Sequence, residues 1–173
     1  MSLFRGRRER EAETGGSGVS MLSRIGIAVQ ALGFAAVAAG PKTFQISHPD
    51  TRGIQLAIGA AGATLAAYVL FRRSRASLAQ NWSIAARTRS DHQLVTSGPY
   101  ALIRHPIYVA LFLWMLAMAM AVGHPGALKL AIPLYIVGTL IRTHVEEGLL
   151  RAMFGADYDA YAARVRRFIP HVI

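Results

Sequence analysis

Four stretches without a charged side chain divide this chain: Ile25 to Pro41, Gly53 to Phe71, Ile107 to Leu128, and Leu130 to Ile141, the last bounded by Lys129 and Arg142. A helix needs about 20 mostly apolar residues to cross a bilayer. The second and third runs meet that length. The first meets it with Met21 to Arg24 as its entrance, and the fourth if Lys129 and Arg142 snorkel to opposite interfaces. The expected fold is therefore an all-α integral membrane protein with about four transmembrane helices and a cytoplasmic C-terminal helical segment.

The charge distribution agrees. Only 16% of the 173 residues are charged, against about a quarter in soluble domains, and Lys and Arg outnumber Asp and Glu 19 to 9. With both termini on the cytoplasmic side, only Lys42, Arg52 and Lys129 lie outside, and the other 16 of 19 basic residues lie inside. That is the positive-inside bias of an integral membrane protein. The absence of cysteine excludes disulfides, thiolate metal sites and a cysteine nucleophile. A nucleic-acid role for the basic N-terminal tail lacks the interleaved aromatics that stack bases.

Residues 1–18 are polar, Arg-rich and end in Gly-Gly-Ser-Gly, which reads as a disordered basic tail. Residues 19–72 follow as two N-terminal transmembrane helices, and 73–173 as a core with a transmembrane hairpin and C-terminal helices. Ala36-Val37-Ala38 resembles a signal-peptidase site, but the region before it is long and carries Glu9, Glu11 and Glu13. Small residues recur every fourth position at Gly59, Ala63 and Ala67 and at Ala117 and Ala121, a pattern that lets helices approach closely or simply marks alanine-rich helices. His124-Pro125-Gly126 signals a turn, predicting a tight hairpin of the third and fourth spans. Glu146 to Phe154 has the spacing of a separate amphipathic helix capped by Gly155, and Asp157 to Phe168 that of a second short helix ended by Pro170.

The chemistry-bearing residues fall in two clusters flanking that hairpin. One is His92 to Tyr108, HQLVTSGPYALIRHPIY, in which Pro106 starts a helix where its missing N–H costs nothing. The other is Arg142 to Glu147. A hairpin returns the chain to the same face, so the clusters can meet and offer imidazole, guanidinium, carboxylate and phenol groups at a membrane surface. Ionisable groups there are costly and usually functional. A polar cosubstrate can bind from water while an apolar one enters from lipid.

His92-Gln93-Leu94-Val95-Thr96-Ser97-Gly98-Pro99-Tyr100, then Arg104-His105-Pro106-x-Tyr108, then Arg142-x-x-x-Glu146-Glu147 with Leu150, Phe154-Gly155, Tyr158, Tyr161 and Ile169-Pro170, resembles the isoprenylcysteine carboxyl methyltransferase family, in a short, prokaryotic-type form. The resemblance covers roughly residues 80 to 171, and Asn81-Trp82-Ser83 extend it. It implies an integral membrane methyltransferase using S-adenosyl-L-methionine, with the C-terminal helices helping to form the cofactor pocket. By the same resemblance the cofactor contacts are His92, Gln93, Leu94, Val95, Tyr100, Arg104, His105, Pro106, Ile107, Tyr108 and Glu146, and the catalytic residues are Arg142, on the substrate side, and Glu146. The acceptor is lipophilic: an isoprenoid or prenylcysteine-like carboxylate, a phenolic lipid or a lipid amine.

Other readings compete for individual residues. Arg104 suits an interfacial anchor, Arg142–Glu146 and Glu147–Arg151 suit i,i+4 pairs on a surface helix, and Tyr108 and Trp114 suit interfacial aromatics. His92 and His105 suggest zinc, but the HxxxH or HExxH spacing on one helix is missing, so no metal is expected. A non-enzymatic membrane protein, such as a transporter subunit or assembly factor, is the alternative; a transporter calls for intramembrane charges or broken helices in two matching halves, neither of which is apparent.

Overall fold

The computed structural model describes residues 20–39, 51–78 and 93–170. The expected tail 1–18, His92 and Asn81-Trp82-Ser83 lie outside the described residues. Among the described residues five α-helices carry the fold: α1 Met21–Ala38, α2 Thr51–Leu78, α3 Pro106–Ala121, α4 Leu128–Phe154 and α5 Ala156–Arg164, with 3-10 turns at Gly98–Ala101 and Pro125–Ala127. Among the described residues there is no strand, only an isolated parallel bridge between Ile103 and Arg166.

Three of these helical segments are long and apolar enough to cross a membrane: Met21–Ala38, Thr51–Leu78 and Pro125–Phe154. The third expected span, α3, is a shorter apolar helix of 16 residues. At 1.5 Å per residue that is about 24 Å, short of a hydrocarbon core of about 30 Å. The exposed faces of α1, α2 and α4 carry Leu22, Leu32, Ile54, Ile58, Leu65, Leu130, Ile136 and Leu140, the surface a helix presents to lipid.

The helices pack in two antiparallel pairs, α1 along α4 and α2 along α3. In the first pair Gly26 sits against Gly138 and Arg142, and Gly33 against Ala131 and Tyr135. A Cβ on Gly138 would come within 2.7 Å of the Gly26 carbonyl and 2.8 Å of the Gln30 nitrogen, so the crossing is too close for any side chain at this position. In the second pair Gly59 faces Met120, and Ala60, Ala67, Ala110 and Ala117 are buried, whereas Ala121 is exposed. The small-residue register is thus a packing face on α2, and on α3 it runs through Ala110 and Ala117. Val37, Met115, Ala119, Ala131 and Tyr135 form the apolar core that joins α1, α3 and α4.

Three expectations require correction. The fourth span and the amphipathic segment after it are one continuous helix, α4, of 27 residues. Nothing between Ile141 and Glu146 breaks a helix, so the change from apolar to charged pattern records where α4 leaves its apolar surroundings. The final helix is also shorter than Asp157 to Phe168: α5 ends at Arg164, and Val165 is extended. The backbone carbonyls of Arg166 and Arg167 instead accept from the N–H groups of Arg104 (2.7 Å) and His105 (3.0 Å), tying the chain's last turn to the start of α3. The turn at Pro125–Ala127 does join α3 and α4, but each helix packs mainly on another partner, so the hairpin is not the tight one expected. Gly155 closes α4 with φ 51°, a conformation that costs a side chain about 1 kcal/mol or more and that glycine adopts freely.

Candidate active site

The two sequence clusters meet. Antiparallel packing puts the start of α1, the start of α3 and the charged half of α4 at one end of the molecule, with the C-terminal segment against them. His105 caps α3 with Pro106 at its first position, as the motif predicts. One turn into α3, the Tyr108 hydroxyl donates to Glu146 Oε1. Arg142 lies over the Tyr108 ring, 5.1 Å from guanidinium carbon to centroid, and its Nη2 is 3.7 Å from Glu146 Oε1. His105 Nδ1 stands 3.8 Å from Glu146 Oε2. Tyr135 of α4 donates to the Tyr108 carbonyl at 2.7 Å and fixes the α3–α4 spacing at this level. Glu146 keeps a quarter of its side chain exposed, so the cluster opens to solvent at a carboxylate.

Glu147, its neighbour, is buried, with 1% of its side chain exposed. Arg167 binds it through two parallel bonds, Nε to Oε1 at 2.9 Å and Nη2 to Oε2 at 2.8 Å. Arg104 Nη1 (3.0 Å) and His105 Nε2 (3.1 Å) share Oε1. An ionised carboxylate only accepts, so His105 donates from Nε2. Arg151, the expected i,i+4 partner, is the most distant cation at 3.9 Å and half exposed. Glu147 therefore clamps the Arg104-His105 turn, α4 and the C-terminal segment together. Arg104 is accordingly a buried bridge, 11% exposed and 3.4 Å from the Tyr158 hydroxyl, and not a snorkelling anchor.

Tyr100 is buried in the 3-10 turn, and Tyr161 of α5 donates to its carbonyl at 2.7 Å. Burial, then the negative charge of Glu146, hold the Tyr100 phenol well above the usual range, so it stays neutral. Pro106 is buried and Ile107 half-buried on α3. Gln93 is exposed and Leu94 and Val95 are half-buried in the irregular segment leading to the 3-10 turn. The structure thus unites Tyr108, Arg142, Glu146 and His105, places Tyr100 in electrostatic reach, and leaves Gln93 to Val95 on the approach. Trp114 is exposed on α3, away from this cluster's polar contacts.

Three partners escaped the sequence reading. Arg167 carries no spacing signal linking it to Glu147. Thr139 is one turn before Arg142 on α4. Gln30 is buried in α1, donates to Thr139 Oγ1 at 2.7 Å and accepts from Arg142 Nη1 at 3.1 Å. An amide within a charge-free run was the available signal, because buried polar groups in membrane helices need partners.

A family model of the isoprenylcysteine carboxyl methyltransferase (ICMT) family matches residues 56–152. The chain is 36% identical over 88 residues to protein-S-isoprenylcysteine O-methyltransferase of Schizosaccharomyces pombe, covering 50% of this chain and 37% of that protein. It is 38% identical over 87 residues to the cobalt-zinc-cadmium resistance protein CzcN of Cupriavidus metallidurans, covering 49% and 38%. The chain thus spans little more than a third of the length of these relatives. Its fold is similar to the structure of the eukaryotic intramembrane Ras methyltransferase ICMT, with a TM-score of 0.59, 24% identity, and coverage of 90% of this chain and 54% of that one. The chain belongs to the isoprenylcysteine carboxyl methyltransferase family.

Proposed function

We propose that the protein is a membrane-embedded methyltransferase that moves a methyl group from S-adenosyl-L-methionine to the carboxylate of a lipophilic, prenylcysteine-like acceptor at the cytoplasmic interface. Family membership supports carboxyl methylation as the reaction class, and the S. pombe relative's name supports an isoprenylcysteine acceptor methylated at oxygen. The single observation that carries the assignment of the site is the solvent-facing Glu146 carboxylate, held by Tyr108 beside Arg142 and His105.

These residues suit the cofactor. Glu146 would hold its cationic amino-acid end, and Arg104, whose buried Nε has no partner among the described residues, would supply a donor for its carboxylate. His92 to Val95, Tyr100 and His105 to Tyr108 would wall the pocket. When bound, S-adenosyl-L-methionine supplies an electrophilic methyl group on a sulfonium. Arg142 would hold the acceptor's carboxylate and orient one oxygen in line with that methyl. A carboxylate nucleophile needs no general base, so the chain's work is alignment and exclusion of water. Tyr108 fixes Glu146 and so keeps its charge available to the cofactor. The Arg-rich end of the bundle is assigned to the cytoplasmic side by the positive-inside rule.

The test is transfer of labelled methyl from S-adenosyl-L-methionine to N-acetyl-S-farnesylcysteine by protein in lipid nanodiscs. Label appears as a base-labile methyl ester with the wild type and falls by at least about tenfold with Arg142→Ala, the scale of a lost charge-assisted bond. Folded protein that binds neither compound would contradict the reading and favour a non-enzymatic role.

A further inference from the structure

Gln30 is the buried amide of α1, 5% exposed, in a run without charges, and both ends of its side chain are engaged. Arginine can only donate, so the atom 3.1 Å from Arg142 Nη1 is the amide oxygen, which leaves the NH2 group to Thr139 Oγ1 at 2.7 Å. Thr139 and Arg142 are three residues apart on α4 and share a face. One amide therefore spans both, with its orientation set by Thr139 and its oxygen spent on Arg142.

The backbones are built around the same contact. Gly26 and Gly138 lie opposite each other where α1 and α4 cross. A Cβ on Gly26 would stand 2.6 Å from Arg142 Cγ, and a Cβ on Gly138 would stand 2.7 Å from Gln30 Cγ. Each glycine thus leaves the space that the other helix's polar stem occupies. On its far side the Arg142 guanidinium meets the Tyr108 ring and Glu146. Gln30 and Gly26 both lie outside residues 56–152, the stretch matched by the family model.

We infer that Gln30 is a positioning residue for the methyl-transfer site: through Thr139 and the Gly26–Gly138 crossing, α1 holds the Arg142 guanidinium aimed at the acceptor side of Tyr108 and Glu146. This rests on the reading that Arg142 faces the acceptor. Without the amide, Arg142 loses a fixed partner in a site where water cannot freely replace it. Acceptor use suffers, while Glu146 and Tyr108 keep the cofactor side.

The experiment is a double-mutant cycle in nanodiscs with N-acetyl-S-farnesylcysteine and S-adenosyl-L-methionine, using Gln30→Leu, Arg142→Ala and the double variant. Gln30→Leu is expected to lower kcat/KM for the acceptor about tenfold, with cofactor Kd within about twofold of wild type. In the Arg142→Ala background the same substitution is expected to change nothing. Thr139→Val, which leaves Gln30 in place without its orienting partner, gives a smaller loss with the same dependence on Arg142 and serves if Gln30→Leu does not fold. Equal losses in both backgrounds overturn the positioning role while leaving the methyltransferase reading intact. Full activity of Arg142→Ala overturns the assignment of Arg142 to the acceptor, and the positioning role with it. If this acceptor is not turned over, the acceptor assignment falls, and the Arg142 guanidinium nitrogen resonances, assigned with Arg142→Lys, decide the contact: restricted rotation that is released in Gln30→Leu supports it, and rotation that is unaffected overturns it.

Discussion

Glu146 and Glu147 stand side by side on α4 with opposite surroundings. Glu147 is buried beneath Arg167, Arg104 and His105, whereas Glu146 is a quarter exposed and takes the Tyr108 hydroxyl. Consecutive helical positions point about 100° apart, which is why one carboxylate can hold the structure together while the other faces the site.

Glu147→Gln tests the first of these. Removing one member of a buried charged cluster leaves the others desolvated without compensation, at a cost of about 3 kcal/mol. For a chain of this size that lowers the melting temperature by roughly 10 °C, measured in detergent. Glu146→Gln, at its more exposed position, is expected to shift it far less.

Arg167 is 41% exposed, so solvent moderates its pair with Glu147. Arg167→Ala is expected to loosen the C-terminal segment more than to unfold the protein. Hydrogen exchange reads this directly: the amides of Arg104 and His105, which donate to the carbonyls of Arg166 and Arg167, should exchange faster, while those of α2 should not change.

Gly138→Ala should lower stability by about 1–3 kcal/mol, because its methyl group meets backbone, which cannot rotate away. Thermal unfolding measures it. Gly148→Ala is the control, since a Cβ there meets nothing within 4 Å.

The buried phenols outside the membrane-spanning helices make the protein alkali-sensitive. Burial pushes Tyr161 from 10.0 up to about 12, and Tyr100 and Tyr158 move in the same direction. A phenol whose folded value is raised contributes stability that is fully present below pH 10 and is lost as pH rises through about 12. Phenolate absorbance should therefore lag behind that of exposed tyrosine and then rise together with the loss of helical circular dichroism. Tyr161→Phe should remove part of that alkaline transition.

Much of this architecture was legible in the residues. Charge-free runs locate α1 to α4 because lipid demands apolar surface and paired backbone, and Arg104-His105-Pro106 marks the start of α3 because proline is best accommodated in a helix's first turn, where its missing N–H costs nothing. Legibility failed where side-chain pattern and backbone continuity part company. α4 runs through Arg142 to Phe154 unbroken, although its composition changes midway. α5 stops at Arg164 because the following carbonyls are taken by Arg104 and His105, a contact about sixty residues away in sequence. Arg142 and Glu146 could be paired by helical spacing, but Glu147 with Arg167 and Gln30 with Arg142 are tertiary pairs that no local period announces.

The most direct test of the central claim is calorimetric binding of S-adenosyl-L-methionine to detergent-purified wild type and Glu146→Gln. The account predicts saturable binding by the wild type and an affinity at least about tenfold weaker for the variant, since Glu146 is the carboxylate assigned to the cofactor's cationic end. Equal affinity in the two proteins, with both folded, would contradict the assignment of Glu146, and no binding to either would contradict the methyltransferase site itself.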